Sequence, residues 1–97
     1  MRVYVESTGM GSRVFDLSDD DECALFNTYC RAAVFNFITL CGESHISLPQ
    51  GKELVITDES SESEIWLGAA ILYMQCKESG DWGDILEIIP IDDKDED

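Results

Sequence analysis

Residues 19–41 contain neither glycine nor proline, and apolar side chains such as Phe26 and Phe37 recur within them at helical spacing. Ser18 precedes this run as a candidate N-cap, and Asp21 stands three residues later in the position of a capping box. The pattern predicts one helix over 19–41. A helix this apolar must be covered on more than one side, so the rest of the chain has to supply that cover.

The remaining elements follow from alternating segments and from turn residues. Ser61 and Glu64 form a second capping-box pattern, and Gly42 and Pro49 interrupt the chain after the first helix. The predicted elements are strands at 2–7, 13–17, 53–57 and 85–89, a second helix at 62–79, and a loop at 43–51. Because Pro90 has no N–H to donate, the last strand should end there or lie at a sheet edge.

The predicted element order is therefore ββαβαβ. This order favours an α+β fold, with a four-stranded, mainly antiparallel sheet and two helices packed on one face. The 97 residues suffice for one domain, which we place at 1–91. Residues 92–97 carry five acids and one lysine, a charge run that predicts a disordered acidic tail.

Charge is the strongest compositional signal. Twenty-one Asp and Glu face six Lys and Arg, which gives a net charge of −15. Small domains usually keep this magnitude near about 2–8. Hydrophobic residues make up 44% of the chain, so the charge sits on a folded body. The candidate partner-binding residues lie in three clusters, which comprise Asp16, Asp19, Asp20, Asp21 and Glu22, then Asp58, Glu59, Glu62 and Glu64, and finally Asp81, Asp84 and Glu87.

Helix capping explains only part of these acids. A carboxylate near a helix start contributes about 0.3–1 kcal/mol, but one or two such groups suffice. Acids two apart on a strand lie about 7 Å from each other, and acids four apart on a helix lie about 6 Å apart. Phosphates along a nucleic-acid strand have a similar spacing. The surplus therefore predicts a surface that repels nucleic acid and anionic membranes and binds a basic protein, with release of the partner's counterions.

Patterns that support catalysis or metal binding are weak. The only histidine, His45, lies in the predicted loop, and its possible partner Cys41 ends an apolar helical stripe. There is no CxxC spacing for zinc, and the acids of residues 16–22 lack the central glycine of a calcium-binding loop. We therefore predict a protein that is not an enzyme and that uses no cofactor and no metal.

The cysteines and the hydropathy pattern bear on the compartment. Three of the four cysteines, Cys23, Cys30 and Cys41, fall along one predicted helix and are too far apart to bridge one another. Together with Cys76 they are best read as reduced thiols, which predicts a cytoplasmic protein. No apolar run reaches the length that a membrane-spanning helix needs.

In size, acidity and lack of catalytic motifs, the chain resembles the small phage-encoded inhibitors of bacterial defence, which include anti-CRISPR and DNA-mimic proteins. The resemblance is one of composition and rests on no motif. It implies a stoichiometric, non-catalytic inhibitor that covers a basic nucleic-acid-binding surface on a CRISPR effector, a restriction enzyme or a nuclease. It also implies that this protein does not itself bind nucleic acid, and that it acts in the host bacterial cytoplasm if a phage encodes it.

The sequence is also compatible with other functions. An acidic scaffold, or an immunity-type partner of a basic toxin, would carry the same charge without mimicking nucleic acid. In either case Trp66, Trp82 or another apolar patch would be the anchor. The apolar first helix also makes a homodimer possible, because a two-layer monomer covers so many apolar sides with difficulty.

Overall fold

A computed structural model describes residues 1–91, so the predicted tail at 92–97 lies outside the described residues. The chain forms five strands, two helices and a short 3-10 turn. In chain order these are β1 (Arg2–Ser7), β2 (Gly11–Asp16), α1 (Asp20–Cys41), β3 (Glu43–Ser47), the turn Pro49–Gly51, β4 (Glu53–Thr57), α2 (Glu62–Ser79) and β5 (Leu86–Ile91).

The strands form two antiparallel sheets, not one. The first has three strands in the order β2-β1-β5, and the second is the β3–β4 hairpin. The α+β class with two helices is confirmed, whereas the four-stranded sheet and the order ββαβαβ are wrong. Residues 43–47, predicted as part of a loop, pair with β4, and Ile46 is their single buried side chain. Because the neighbours of Ile46 on both sides are polar, the sequence lacks the apolar pattern that would predict this strand.

Pro90 lies within β5, opposite Val3 of β1. Because β5 is an edge strand of its sheet, the missing N–H of Pro90 can face away from β1. Two alternatives were predicted for this strand, an end at Pro90 or an edge position. The edge position is confirmed, and the strand does not end at Pro90, because β5 continues to Ile91.

The start of α1 differs by one residue from the prediction. Asp19, not Ser18, is the N-cap, and its carboxylate accepts from the N–H groups of Asp21 and Glu22 at 2.8 and 3.3 Å. Ser18 Oγ instead accepts a hydrogen bond from the Met1 amine at 2.6 Å. A charged cap also interacts with the helix dipole, which favours aspartate over serine here. The predicted box of Ser61 and Glu64 is confirmed at the start of α2.

A single cluster of buried side chains joins both sheets and both helices. Phe15 of β2 packs its ring against Phe26 and Tyr29 of α1. The two helices run antiparallel, since Tyr73 in the second half of α2 donates to Asn27 in the first half of α1, and Trp66 near the start of α2 stacks on Phe35 in the second half of α1. The hairpin covers one side of α2, and the opposite side of α2 faces away from it.

Candidate protein-interaction surface

Three of the five members of the first acidic cluster have structural roles. Asp16 Oδ1 accepts from the N–H of Ser18 at 3.0 Å, Asp19 caps α1, and Glu22 Oε1 accepts from the N–H of Asp16 at 2.8 Å. Asp20 and Asp21 are exposed. Within residues 1–91 their carboxylates accept no hydrogen bond, so of the folding interactions only the dipole of α1, whose first turn they occupy, favours them.

The second acidic cluster surrounds the start of α2. Only Glu64 has a capping role there, because its carboxylate accepts from the N–H of Ser61 at 2.9 Å. Asp58, Glu59 and Glu62 are exposed. Asp58 lies beside Gly42, the residue that ends α1, which places this cluster at the far end of α1 from the first one.

The length of α1 separates these two clusters. Twenty-two helical residues span about 33 Å. The structure therefore does not join the first and second clusters into one continuous patch.

The third cluster stays together. Asp81 and Glu87 border one depression with Asn27 of α1, Asp81 and Asp84 border a second, and Asp84 and Glu87 border a third together with Glu6. Glu87 also stands directly opposite Glu6 in the pairing of β5 with β1. Like charges in that position destabilise a sheet, so this pair supports a role for the acids beyond folding.

The outward side of the helix pair is almost free of charge. α1 carries only Arg31 between Cys23 and Cys41, and α2 carries no charge from Ile65 to Cys76. On α2, the side chains of Trp66, Leu67 and Met74 are 55%, 54% and 51% exposed. The side chain of Trp66 stacks on that of Phe35 in α1 at a centroid distance of 4.2 Å. We call Phe35, Trp66, Leu67, Ala70 and Met74 the uncharged helix face.

Sequence reasoning only partly anticipated this face. Trp66 stood out as a possible anchor, but Leu67 and Met74 did not, because apolar residues inside a helix usually signal core. The available signal was the absence of charge across 65–76 in so acidic a chain. A helix that is apolar on all sides needs cover on all sides, and the described residues cover α2 on only part of its surface.

Two cations lie on one ring between the helices. The guanidinium of Arg31 and the ammonium of Lys77 lie 5.8 and 5.7 Å from the ring centroid of Tyr73. They are the only Arg and Lys within either helix. Positive charge thus lies around Tyr73, with Arg31 near the middle of α1 and Lys77 in the last turn of α2, while acids surround the two ends of the helix pair.

His45 lies on the outer face of the hairpin, between two carboxylates. Its Nε2 is 2.6 Å from Glu43 Oε2, and its Nδ1 is 3.0 Å from Glu53 Oε1. Hydrogen bonds to Glu53 and then to Glu43 raise the pKa of His45 above its ordinary value. With both ring nitrogens engaged in this way, neither is free to accept a proton from Cys41.

We expect the His45 pKa, followed by NMR titration of its ring protons, to lie above 6.5, the ordinary value. The contribution of protonated His45 to the free energy of unfolding is then fully present below its unfolded-state pKa and is lost as pH rises through its folded-state pKa. Glu53→Gln should lower the midpoint, whereas Glu59→Gln, which removes the same charge elsewhere, should leave it nearly unchanged. A midpoint at or below the ordinary value in the parent protein would contradict the two hydrogen bonds.

The buried thiols do not have the properties of nucleophiles. Burial raises the pKa of Cys30 to about 12, and the charge of Lys77 offsets this only in part. Burial, and then the charge of Asp81, also raises the pKa of Cys76. Both groups therefore stay protonated at neutral pH.

Within 1–91, no three His, Cys, Asp or Glu side chains are grouped so that they could hold a metal ion. Neither α1 nor α2 combines the length and apolarity that a bilayer crossing requires.

Comparisons with protein-family models, with curated proteins and with solved structures found no match for this chain.

Proposed function

We propose that this protein is a stoichiometric, non-catalytic inhibitor that binds a basic nucleic-acid-binding protein and excludes nucleic acid from it. The observation that carries the proposal is the uncharged helix face, with acids beyond both of its ends. A CRISPR effector, a restriction enzyme or a nuclease is the proposed class of partner. The cytoplasm, where such partners act, is the proposed site of action.

The composition of the surface matches that of protein interfaces. Interface centres are depleted in charge and enriched in tryptophan and methionine, and a polar rim surrounds them. Trp66 and Met74 occupy such a centre, and Asp20, Asp21, Asp58, Glu59 and Glu62 lie beyond it. Buried tryptophans often dominate binding energies, so Trp66 is the expected anchor.

The acids supply the preference for a basic partner. Exposed acids accelerate encounter with a basic surface, and this acceleration weakens with salt. The first and second clusters lie at opposite ends of α1, whose 22 residues span about 33 Å. One turn of duplex DNA measures roughly 34–36 Å, so phosphates on one side of a duplex recur at nearly this interval. Basic patches that bind DNA one turn apart could therefore meet the two clusters together.

The test pairs two variants with the same change in net charge. Asp20→Lys/Asp21→Lys reverses the free acids of the first cluster and keeps Asp19, which caps α1. Asp95→Lys/Glu96→Lys makes the same change in net charge outside residues 1–91 and outside the three acidic clusters. Purified basic nucleases and CRISPR effectors are assayed for nucleic-acid binding at rising inhibitor and salt concentrations. We expect the first variant to bind about tenfold or more weakly, equivalent to about 1.4 kcal/mol, and the control to bind nearly as the parent does.

A second function is favoured by the apolar character of the face. An immunity-type partner of a basic toxin, or an acidic scaffold, would use the same anchor without displacing nucleic acid. Tight binding that nucleic acid does not compete with, and that salt does not weaken, would reject the inhibitor proposal in favour of this second function. Equal loss of binding in both charge-reversal variants would show that net charge, not the first cluster, attracts the partner.

A further inference from the structure

A groove runs between α1 and α2 on the outward side of the helix pair. Asn27, Arg31, Ala70, Tyr73, Met74 and Lys77 line its central part. The stacked rings of Phe35 and Trp66 bound this groove toward the start of α2. We call this surface the α1–α2 groove. Within residues 1–91, no other element covers Trp66 or Met74, which remain more than half exposed.

The charges around the groove are arranged in three zones. Asp20 and Asp21 lie beyond one end, and Asp58, Glu59 and Glu62 lie beyond the other. Arg31 and Lys77 lie in between, on the ring of Tyr73. A matching occupant is therefore basic at both ends and apolar along the side that meets the groove. It also carries an acid near its middle.

A second copy of this chain does not match these zones. Both ends of the groove are acidic, so a two-fold arrangement places acids on acids whether the paired helices run parallel or antiparallel. Each copy also brings a net charge of −15. Such juxtaposition of like charges suppresses pairing, so the apolar surface of the groove favours a cationic partner over a homodimer.

We infer that the α1–α2 groove binds one cationic amphipathic helix of the partner. Two antiparallel helices present a groove into which the side chains of a third helix fit. Ala70, in the lining, is small enough to allow close approach of the third helix. Helices that bind such grooves use apolar residues spaced i, i+3 or i+4, and i+7. α2 has 18 residues and is about 27 Å long, so an occupant of about five turns spans the groove.

The inference rests on the proposed function and makes it more specific. A basic helix is a common way for a protein to enter the major groove of DNA. Capture of that helix in the α1–α2 groove removes it from nucleic acid. The partner's nucleic-acid-binding helix is then the segment that the inhibitor covers.

The test uses two synthetic 18-residue peptides with the same apolar stripe. One has Lys and Arg in its first and last turns and a central Glu, and the other has Glu at both ends and a central Lys. Each is added to the isotope-labelled full-length protein, and binding is mapped by NMR. We expect the basic-ended peptide to shift the Trp66 indole signal and the amides of Ala70 and Met74. Its affinity should be at least tenfold higher than that of the acidic-ended peptide and should fall with salt.

Matched variants locate the binding. Met74→Glu adds a charge in the groove, and Val55→Glu adds one to the outer face of the hairpin, where Val55 is 41% exposed. We expect Met74→Glu to weaken the basic-ended peptide at least tenfold and Val55→Glu to weaken it less than twofold. Arg31→Glu/Lys77→Glu should reverse the preference for the central residue, so that a basic-ended peptide with a central Lys binds better than one with a central Glu.

Several outcomes would overturn the inference. These are equal binding of the two peptides, no binding at about 1 mM peptide, or shifts confined to residues outside the groove. Sedimentation that shows a homodimer, dissociated by Met74→Glu, would assign the groove to a second copy instead. If the protein displaces nucleic acid from a basic partner and Met74→Glu displaces it equally well, the groove is wrong and the proposed function stands. If the peptide binds in the groove but the protein displaces no nucleic acid, the groove inference stands and the proposed function is wrong.

Discussion

A Phe15→Ala substitution is expected to lower the free energy of unfolding by about 4 kcal/mol, because it removes a large, fully buried side chain and leaves a cavity. Phe15 is 1% exposed, and its ring meets Phe26 and Tyr29 edge-on at 5.6 and 5.7 Å between centroids. Each such aromatic pair adds about 0.5–1.5 kcal/mol beyond the area it buries. Phe15 is therefore a main link between the three-stranded sheet and α1.

Urea unfolding of Phe15→Ala and Val14→Ala measures this effect. Val14 precedes Phe15 on β2 and is 45% exposed, so its truncation should cost less than about 1 kcal/mol. A domain of this size has only about 5–15 kcal/mol of stability. If Phe15→Ala does not fold, Phe15→Leu should fold with a loss of about 1.5 kcal/mol or more, because it keeps an apolar side chain but loses the ring contacts. A loss of less than about 1 kcal/mol for Phe15→Ala would contradict the close packing of Phe15 against Phe26 and Tyr29.

A Gly68→Val substitution is expected to destabilise the fold by about 2–3 kcal/mol through overpacking between α2 and the hairpin. A Cβ atom at Gly68 would lie 3.0 Å from Ile46 Cδ1 and 3.0 Å from Ile56 Cγ1. Valine adds two further methyl groups in this space. Helix propensity opposes the effect only slightly, because valine is a better helix former than glycine by a few tenths of a kcal/mol.

Two companion variants isolate the steric cause. Ala70→Val places the same side chain two residues along α2 at an exposed position, so it should cost no more than about 0.7 kcal/mol. Ile46→Val removes the Cδ1 atom that the new side chain would meet. In thermal unfolding, the Gly68→Val/Ile46→Val double variant should therefore lose less stability than the sum of the two single losses, by about 0.5 kcal/mol or more. Strictly additive losses would mean that contact with Ile46 is not the cause.

The position of Gly68 also bears on binding. Because its missing side chain lets the hairpin approach one side of α2, the apolar residues on the other side, including Trp66 and Met74, remain exposed. An exposed apolar surface promotes self-association unless something prevents it. The net charge of −15 makes copies of the protein repel one another. This repulsion opposes self-association through the exposed face.

Local signals located most of the helices and strands. The run without glycine or proline predicted α1 to within a residue at its start, and Ser61 with Glu64 predicted the start of α2. The error at Ser18 arose because serine and aspartate both cap helices, and the contact of Ser18 with the Met1 amine joins residues 17 positions apart. The strand at 43–47 was missed because only Ile46 gives it an apolar signal.

The candidate surface was less predictable than the fold. The three acidic clusters could be counted from the sequence, but the separation of the first two along α1 could not. The uncharged helix face was visible only as a lack of charge, since periodicity cannot tell whether Leu67 or Met74 packs inside or remains exposed. Which sides of an apolar helix stay open depends on what else packs against it.

The sequence by itself determined the α+β class, the two helices, most of the strands and the strongly negative surface, because capping, periodicity and charge act over a few residues. The tertiary structure decided that the strands divide into two sheets, that the first and second acidic clusters lie at opposite ends of α1, and that one side of the helix pair stays uncovered. These features depend on pairing and packing between residues far apart in the chain. In particular, the close approach of Ile46 and Ile56 to Gly68 brings the hairpin onto one side of α2 and leaves the acidic-ended groove open on the other.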